Sequence, residues 1–199
     1  MRVTGGIARG IELAAPKGGG TRPATDRMRE AVFSSLAGRM EKARVVDLFA
    51  GSGAYGLEAW SRGASSVVFV ENHPGLTKIL EENVARVARS LGAESPWPAR
   101  VRRADALSAP DEPASSDVVF ADPPYALLPG IAPEIFRRAG DWLAPQGERL
   151  LVFEMSGEVE TGASGWTLLR RFGKGRGQPA VSVFRLEASP ESEGNEAGV

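Results

Sequence analysis

The tightest constraint on this 199-residue chain is the stretch from Val45 to Gly56, where an apolar run meets glycines spaced Gly51-x-Gly53-x-x-Gly56 and then a helix-forming segment. Glycines at that spacing let a chain turn sharply out of a strand and bring its backbone close to a ligand. Glu71 follows Gly51 by 20 residues, at the end of the next apolar run. In a β-α-β unit this is where an acid accepts hydrogen bonds from ribose hydroxyls. The spacing predicts a nucleoside-type ligand on a strand–loop–helix turn, with Glu71 as its ribose partner.

The flanking periodicity extends the unit into a fold. Strands are predicted at 44–49, 66–71, 99–103, up to Ala121, and at 148–155, with helices between them. The segment 74–92 carries Leu76, Ile79, Leu80, Val84, Val87 and Leu91 on one helical side. Segments 166–172 and 180–186 read as a closing antiparallel pair. Alternating β and α elements with a terminal hairpin imply an α/β fold, a mostly parallel sheet of seven strands with helices on both faces. Ligands in such sheets bind beyond the carboxyl ends of the strands, near the point where strand order reverses.

Residues 1–44 form an opening segment too small for its own core. Two short strands are expected around its glycine-rich turn, then a helix from Thr25 or Asp26 to Met40 with Met28, Val32, Phe33, Leu36 and Met40 on its apolar side. Nine Lys or Arg against four acids make this segment the candidate nucleic-acid surface. The last thirteen residues, 187–199, hold four acids and no base and are expected to be a disordered tail. Domain boundaries are therefore expected at 1–44, 45–186 and 187–199. With no cysteine and one histidine, thiolate zinc sites, iron–sulfur clusters and cysteine nucleophiles are excluded, and no metal is expected. The first residues show no secretory h-region, and no apolar run approaches a membrane span, so a soluble cytoplasmic protein is expected.

Two features choose the ligand. Asp47 places a carboxylate beside the glycine loop, which would repel a pyrophosphate and suit an ammonium or sulfonium; bracing the loop is its other reading. Asp122-Pro123-Pro124-Tyr125 follows the fourth strand directly. Two prolines fix the chain, so that the Asp122 side chain and the Pro123 carbonyl present acceptors in set directions. Such acceptors grip the N–H groups of an exocyclic amine and turn its lone pair toward a methyl donor. Tyr125 offers a flat face to an extruded base. Asp105, after the third strand, can accept from the adenine amine of a donor or cap the next segment. Asn83 reads as a loop brace, His73 as a bystander, and Trp60, Trp97, Trp142 and Trp166 as packing or surface residues.

The combination of Gly5-Gly6-x-x-Arg9-Gly10, the run from Arg22 through Phe33 (RPATDRMREAVF), the glycine loop and Asp122–Tyr125 resembles the RsmD-type small-subunit ribosomal RNA guanine-N2 methyltransferases, over residues 2–186. The resemblance implies a class I, Rossmann-like methyltransferase fold with S-adenosylmethionine as donor. It implies one guanine of the 16S rRNA as acceptor, on the 30S subunit or an assembly intermediate, and a monomeric enzyme. Asp47, Gly51 and Gly53 would hold the methionine part, Glu71 the ribose and Asp105 the adenine end, with Phe49, Asn72 and Ala106 also at the donor. Asp122, Pro123, Pro124 and Tyr125 would form the acceptor site. Arg22, Thr25 and Arg29 would close over the donor and touch RNA. Adenine N6 stays open as an alternative acceptor, since it too is an exocyclic amine.

Overall fold

The structure, a computed structural model, describes residues 1–16, 23–94, 98–108 and 115–187, with residues 23–25 by backbone alone. Arg22, the Thr25 side chain, Trp97 and the tail beyond Glu187 lie outside the described residues. In chain order the elements are α1 (Pro23–Ser35), β1 (Arg44–Leu48), α2 (Ala54–Ser61), β2 (Ser66–Glu71), α3 (Pro74–Leu91), β3 (Ala99–Arg103), β4 (Val118–Ala121), α4 (Leu128–Trp142), β5 (Leu150–Ser156), β6 (Trp166–Phe172) and β7 (Pro179–Leu186).

The seven strands form one sheet in the order β3-β2-β1-β4-β5-β7-β6. Neighbours from β3 to β5 run parallel, and β7 lies antiparallel between β5 and β6. Strand order reverses between β1 and β4, where Leu48 pairs with Ala121. The central strands carry apolar side chains on both faces because helices cover both, as expected of parallel strands. On one face Val45, Phe69, Phe120, Val152 and Val183 pack beneath α1, α2 and α3. On the other Val46, Leu48, Val119, Leu151 and Phe153 pack against Leu128, Ile135, Phe136 and Trp142 of α4. Among the described residues no helix is long and apolar enough to cross a membrane.

Two local expectations are corrected. The opening strands are reduced to one antiparallel bridge, Arg2 with Glu12. The two segments still bond to each other, Val3 N–H donating to Ile11 O at 3.0 Å, Gly10 N–H to Val3 O at 2.9 Å and Leu13 N–H to Met1 O at 3.0 Å. The turn between them docks on α2: Ile7 N–H donates to Ser61 O at 2.8 Å, Ala8 N–H to Ser61 Oγ at 2.9 Å and Thr4 N–H to Glu58 at 2.7 Å. Gly6, at φ 75°, lies so near α2 that a Cβ there would be 1.9 Å from Ser61 O. The first helix stops at Ser35 rather than Met40, with Gly38 turning the chain at φ 81°. Val32 and Phe33, in α1, and Leu36 and Met40, in the turn after it, are all buried, so the predicted apolar side reaches the core partly through a turn.

Candidate active site

Every candidate residue after position 44 lies at the carboxyl edge of the sheet, on four adjacent strand ends. In sheet order these are Asp105 and Ala106 after β3, Glu71 and Asn72 at β2, Phe49 to Gly53 after β1, and Asp122 to Tyr125 after β4. Three strand spacings cover about 14 Å. That is a suitable span for an extended nucleoside with an amino-acid arm.

The turn out of β1 is tightly specified. Phe49 adopts φ 58°, unusual for a residue with a side chain, and Gly51 and Gly53 stand at 56° and 86°. A left-handed phenylalanine is backbone strain of the sort that persists where the surroundings hold it for function. Gly53 N–H closes the turn onto Ala50 O at 2.7 Å. A Cβ on Gly53 would be 2.4 Å from Leu80, and one on Gly56 would be 2.3 Å from the Phe69 ring. The three glycines thus serve a turn, a tight turn-to-helix contact and a close helix–sheet approach, in that order along the chain.

Carboxylates brace this turn from beneath. Glu71, nearly buried, accepts from Gly51 N–H at 2.9 Å and from His73 N–H at 2.8 Å. Asp47 is 2% exposed and accepts from Gly56 N–H at 2.9 Å. Burial pushes the Asp47 carboxyl up to about 8, with Glu71 adding to the rise and the Gly56 bond opposing it. The fixed negative charge expected at Asp47 is therefore corrected: at neutral pH the group is mostly a protonated brace. A cation lying against it would favour the ionised form again. Asn83, wholly buried, donates to Ser52 O at 2.9 Å and exchanges two bonds with Ala14, at 2.8 and 2.9 Å. It braces the glycine loop and ties the opening segment to it. His73 caps α3, its Nδ1 accepting from Gly75 N–H and Leu76 N–H. Asp105 is exposed, and its Oδ1 accepts from Leu107 N–H at 2.7 Å, which is the capping reading. Asn72 is exposed and Ala106 buried at their strand ends.

The acceptor side is built by strand parity. Side chains alternate along a strand, so Asp47 shares a face with Val45, Asp122 with Phe120, and Glu154 with Val152. Phe120 pairs with Asp47 on one side and with Val152 on the other, which sets Asp122 and Glu154 level on neighbouring strands. Asp122 is exposed just beyond the end of β4. Desolvation, then the neighbouring carboxyls of Glu154 and Asp47, push its carboxyl well above the usual carboxylate range. Tyr125 is 40% exposed, and Pro123 beneath it is buried. Glu154 was not among the residues singled out from the sequence, nor was Tyr55. The Tyr55 hydroxyl donates to Glu154 Oε2 at 2.7 Å and the Tyr125 hydroxyl to Oε1 at 3.2 Å. Burial raises the Glu154 carboxyl, and both tyrosine bonds and the charge of Arg29 oppose that rise.

Arg29 is the other correction. It is 3% exposed and cannot touch RNA from this position. Its guanidinium pairs with Asp26 at 2.9 Å and Glu58 at 3.5 Å and donates to the Arg2 carbonyl. Glu58, itself wholly buried on α2, also pairs with Arg62 and accepts from both the N–H and hydroxyl of Thr4. This ionic cluster clamps α1 and the opening segment to the sheet domain. Of the tryptophans, Trp60 and Trp142 are buried, and Trp166 meets Phe136 edge-on at 5.5 Å.

Two of the loop N–H groups that a pyrophosphate would use are thus already bonded to the carboxyls of Glu71 and Asp47. A donor whose positive charge sits on sulfur and nitrogen needs no such N–H groups and would favour the ionised form of Asp47. With the strand order, this is the arrangement of the Rossmann-like methyltransferases. The chain belongs to the family described as "Conserved hypothetical protein 95", whose profile matches residues 1–184. Ribosomal RNA small subunit methyltransferase D of Escherichia coli K12 is 35% identical over 196 residues, covering 97% of this chain and 93% of that protein. The solved structure of yhhF from Escherichia coli, also 35% identical, has a TM-score of 0.77 over 95% of this chain and 99% of its own. An RNA methyltransferase from Salinibacter ruber, solved with S-adenosyl-L-homocysteine, shares the fold at 18% identity, with a TM-score of 0.56 over 89% and 95% of the two chains.

Proposed function

We propose that this protein transfers the methyl group of S-adenosylmethionine to the exocyclic N2 amine of one guanine in 16S rRNA. One observation carries the reading: Asp122–Tyr125 and the glycine loop leave adjacent strands, β4 and β1, at the point where strand order reverses. Membership in a family with rRNA methyltransferases over nearly the whole chain supports it.

The residues present suit the donor. Gly51 and Gly53 supply a side-chain-free turn, and Glu71 keeps lone pairs for ribose hydroxyls beyond the two N–H groups it already accepts. Asp47 and Phe49 lie by the methionine end, and Asn72, Asp105 and Ala106 by the nucleoside end. When bound, S-adenosylmethionine supplies an electrophilic methyl on a sulfonium. The Asp122 carboxyl and the Pro123 carbonyl accept the two N–H groups of the base amine, which turns the nitrogen lone pair away from the ring. The Tyr125 ring covers one face of the base, with Pro124 stiffening the approach. Once alkylated, the nitrogen is strongly acidic, and its proton passes to Asp122 or to solvent. Alignment of nucleophile and methyl contributes most of the acceleration.

The opening segment, 1–44, serves as the RNA-facing extension of a methyltransferase domain spanning 45–186. Arg2, Arg9 and Arg27 line a cavity of about 550 Å³ between the opening segment and α1, with Asp26 and Glu30 on its wall. Arg22 and Thr25 belong to the same segment. On this reading the enzyme acts as a single cytoplasmic copy on the 30S subunit or its precursor. Asp122→Ala is expected to abolish transfer to rRNA while donor affinity, read by calorimetry, changes little; full residual turnover would overturn the role of Asp122.

A further inference from the structure

We infer that Glu154 is a positioning residue for methyl transfer, holding Tyr125 by its hydroxyl so that the ring stands beside Asp122. The inference rests on the reading of Asp122–Tyr125 as the acceptor site.

Tyr125 is exposed and lies on a loop, just beyond two prolines. Its hydroxyl donates to one oxygen of Glu154, while the other oxygen accepts from Tyr55. Tyr55 cannot drift. It is 7% exposed and stacks between Phe120 at 5.3 Å and Phe33 at 6.3 Å, rings that stack on each other at 5.4 Å. Tyr55 is therefore a fixed post, and Glu154 a two-armed bridge from it to Tyr125. Glu154 itself is set by β5, whose pairing with β4 places it level with Asp122. Truncating Glu154 would cut the link between the Tyr125 hydroxyl and the buried post behind it. A reacting group misplaced by about 1 Å can cost a hundredfold in rate.

A double-mutant cycle on the full chain tests this, using Glu154→Ala, Tyr125→Phe and the double variant, with kcat and KM for rRNA and the melting temperature of each. Glu154→Ala is expected to lower kcat about ten- to a hundredfold, with donor affinity unchanged. Tyr125→Phe, which removes only the hydroxyl, should reproduce most of that loss. The double variant should be no slower than Glu154→Ala, because both changes cut the same tether. Glu154→Gln keeps an acceptor at the bridge and should recover most of the activity; it also replaces the alanine variant in the cycle if that one fails to fold. A merely structural Glu154 would lower the melting temperature, and its kcat cost would multiply with that of Tyr125→Phe, which overturns the inference. Asp122→Ala, run alongside, separates the two readings. Unchanged turnover there removes the acceptor site and the inference with it; loss there with a fully active Glu154→Ala enzyme removes the inference alone.

Discussion

Asp47→Asn is expected to stabilise the protein at neutral pH while weakening its grip on the methyl donor. The folded carboxyl titrates near 8 because it is buried, and the same group in the unfolded chain titrates near 3.8. Between those two values the folded protein holds a proton that the unfolded chain has released. The site's contribution to stability is therefore complete below about pH 4 and declines as pH rises, by about 1.4 kcal/mol per pH unit, until the folded group ionises near pH 8. At pH 7 the accumulated loss is about 4 kcal/mol. Asparagine has the same shape, its oxygen can still accept the Gly56 N–H, and it carries no titrating proton. The stability difference between the asparagine variant and the wild type should accordingly grow from near zero at about pH 4 to several kcal/mol at pH 7. Urea unfolding of both proteins across that range measures it. Taking the difference removes the contribution of Glu154, whose carboxyl is also raised; Asp122, which Asp47 helps to raise, adds to the difference in the same direction. A difference that stays flat with pH would show that Asp47 is ionised in the folded state and refute the reasoning. Donor binding to the wild type below pH 8 should release a proton, seen as a buffer-dependent heat, and the asparagine variant should lack that release.

Other outcomes follow from the same geometry. Gly53→Ala forces a Cβ to within 2.4 Å of Leu80 at φ 86°, so it should cost about 2–4 kcal/mol of stability and most of the donor affinity, measured by urea unfolding and calorimetry. Glu58→Ala removes the buried carboxylate that Arg29, Arg62 and Thr4 share and should cost about 3–5 kcal/mol, read by urea unfolding; replacing Glu58 and Arg29 together by apolar residues should return much of that loss. Asn83→Ala leaves backbone groups of Ala14 and Ser52 without their partner, and a loss of about 2–4 kcal/mol is expected, with hydrogen exchange rising in the glycine loop.

The fold is largely written in periodicity. The apolar runs at β1, β2 and β4, the short alternation around Val101 in β3 and the amphipathic α3 are local signals, and the observed spans match them to within a few residues. The glycine loop and Asp122–Tyr125 are legible because each is a short contiguous motif at a strand end. What escapes is whatever depends on strands being neighbours. Glu154 sits in Leu-Leu-Val-Phe-Glu-Met-Ser, where its parity with Leu150 and Val152 is a usable signal for its face, but only the β4–β5 pairing brings it to Asp122. Tyr55 lies inside the glycine motif and reads as part of a helix until Glu154 is across from its hydroxyl. Arg29 resembles any surface arginine on a basic helix; its burial follows from Glu58, which the sequence hides on an otherwise apolar α2. The opening segment reads as a hairpin and bonds to itself like one at Val3, Gly10 and Leu13, but its docking on Glu58 and Ser61 of α2 depends on residues far along the chain.

Methyl transfer from labelled S-adenosylmethionine, offered 30S subunits, naked 16S rRNA and DNA and followed by nucleoside analysis, tests the central claim most directly. Label is expected in N2-methylguanosine from ribosomal RNA, and nowhere in DNA. Label in N6-methyladenosine, or none in any of the three substrates, would contradict it.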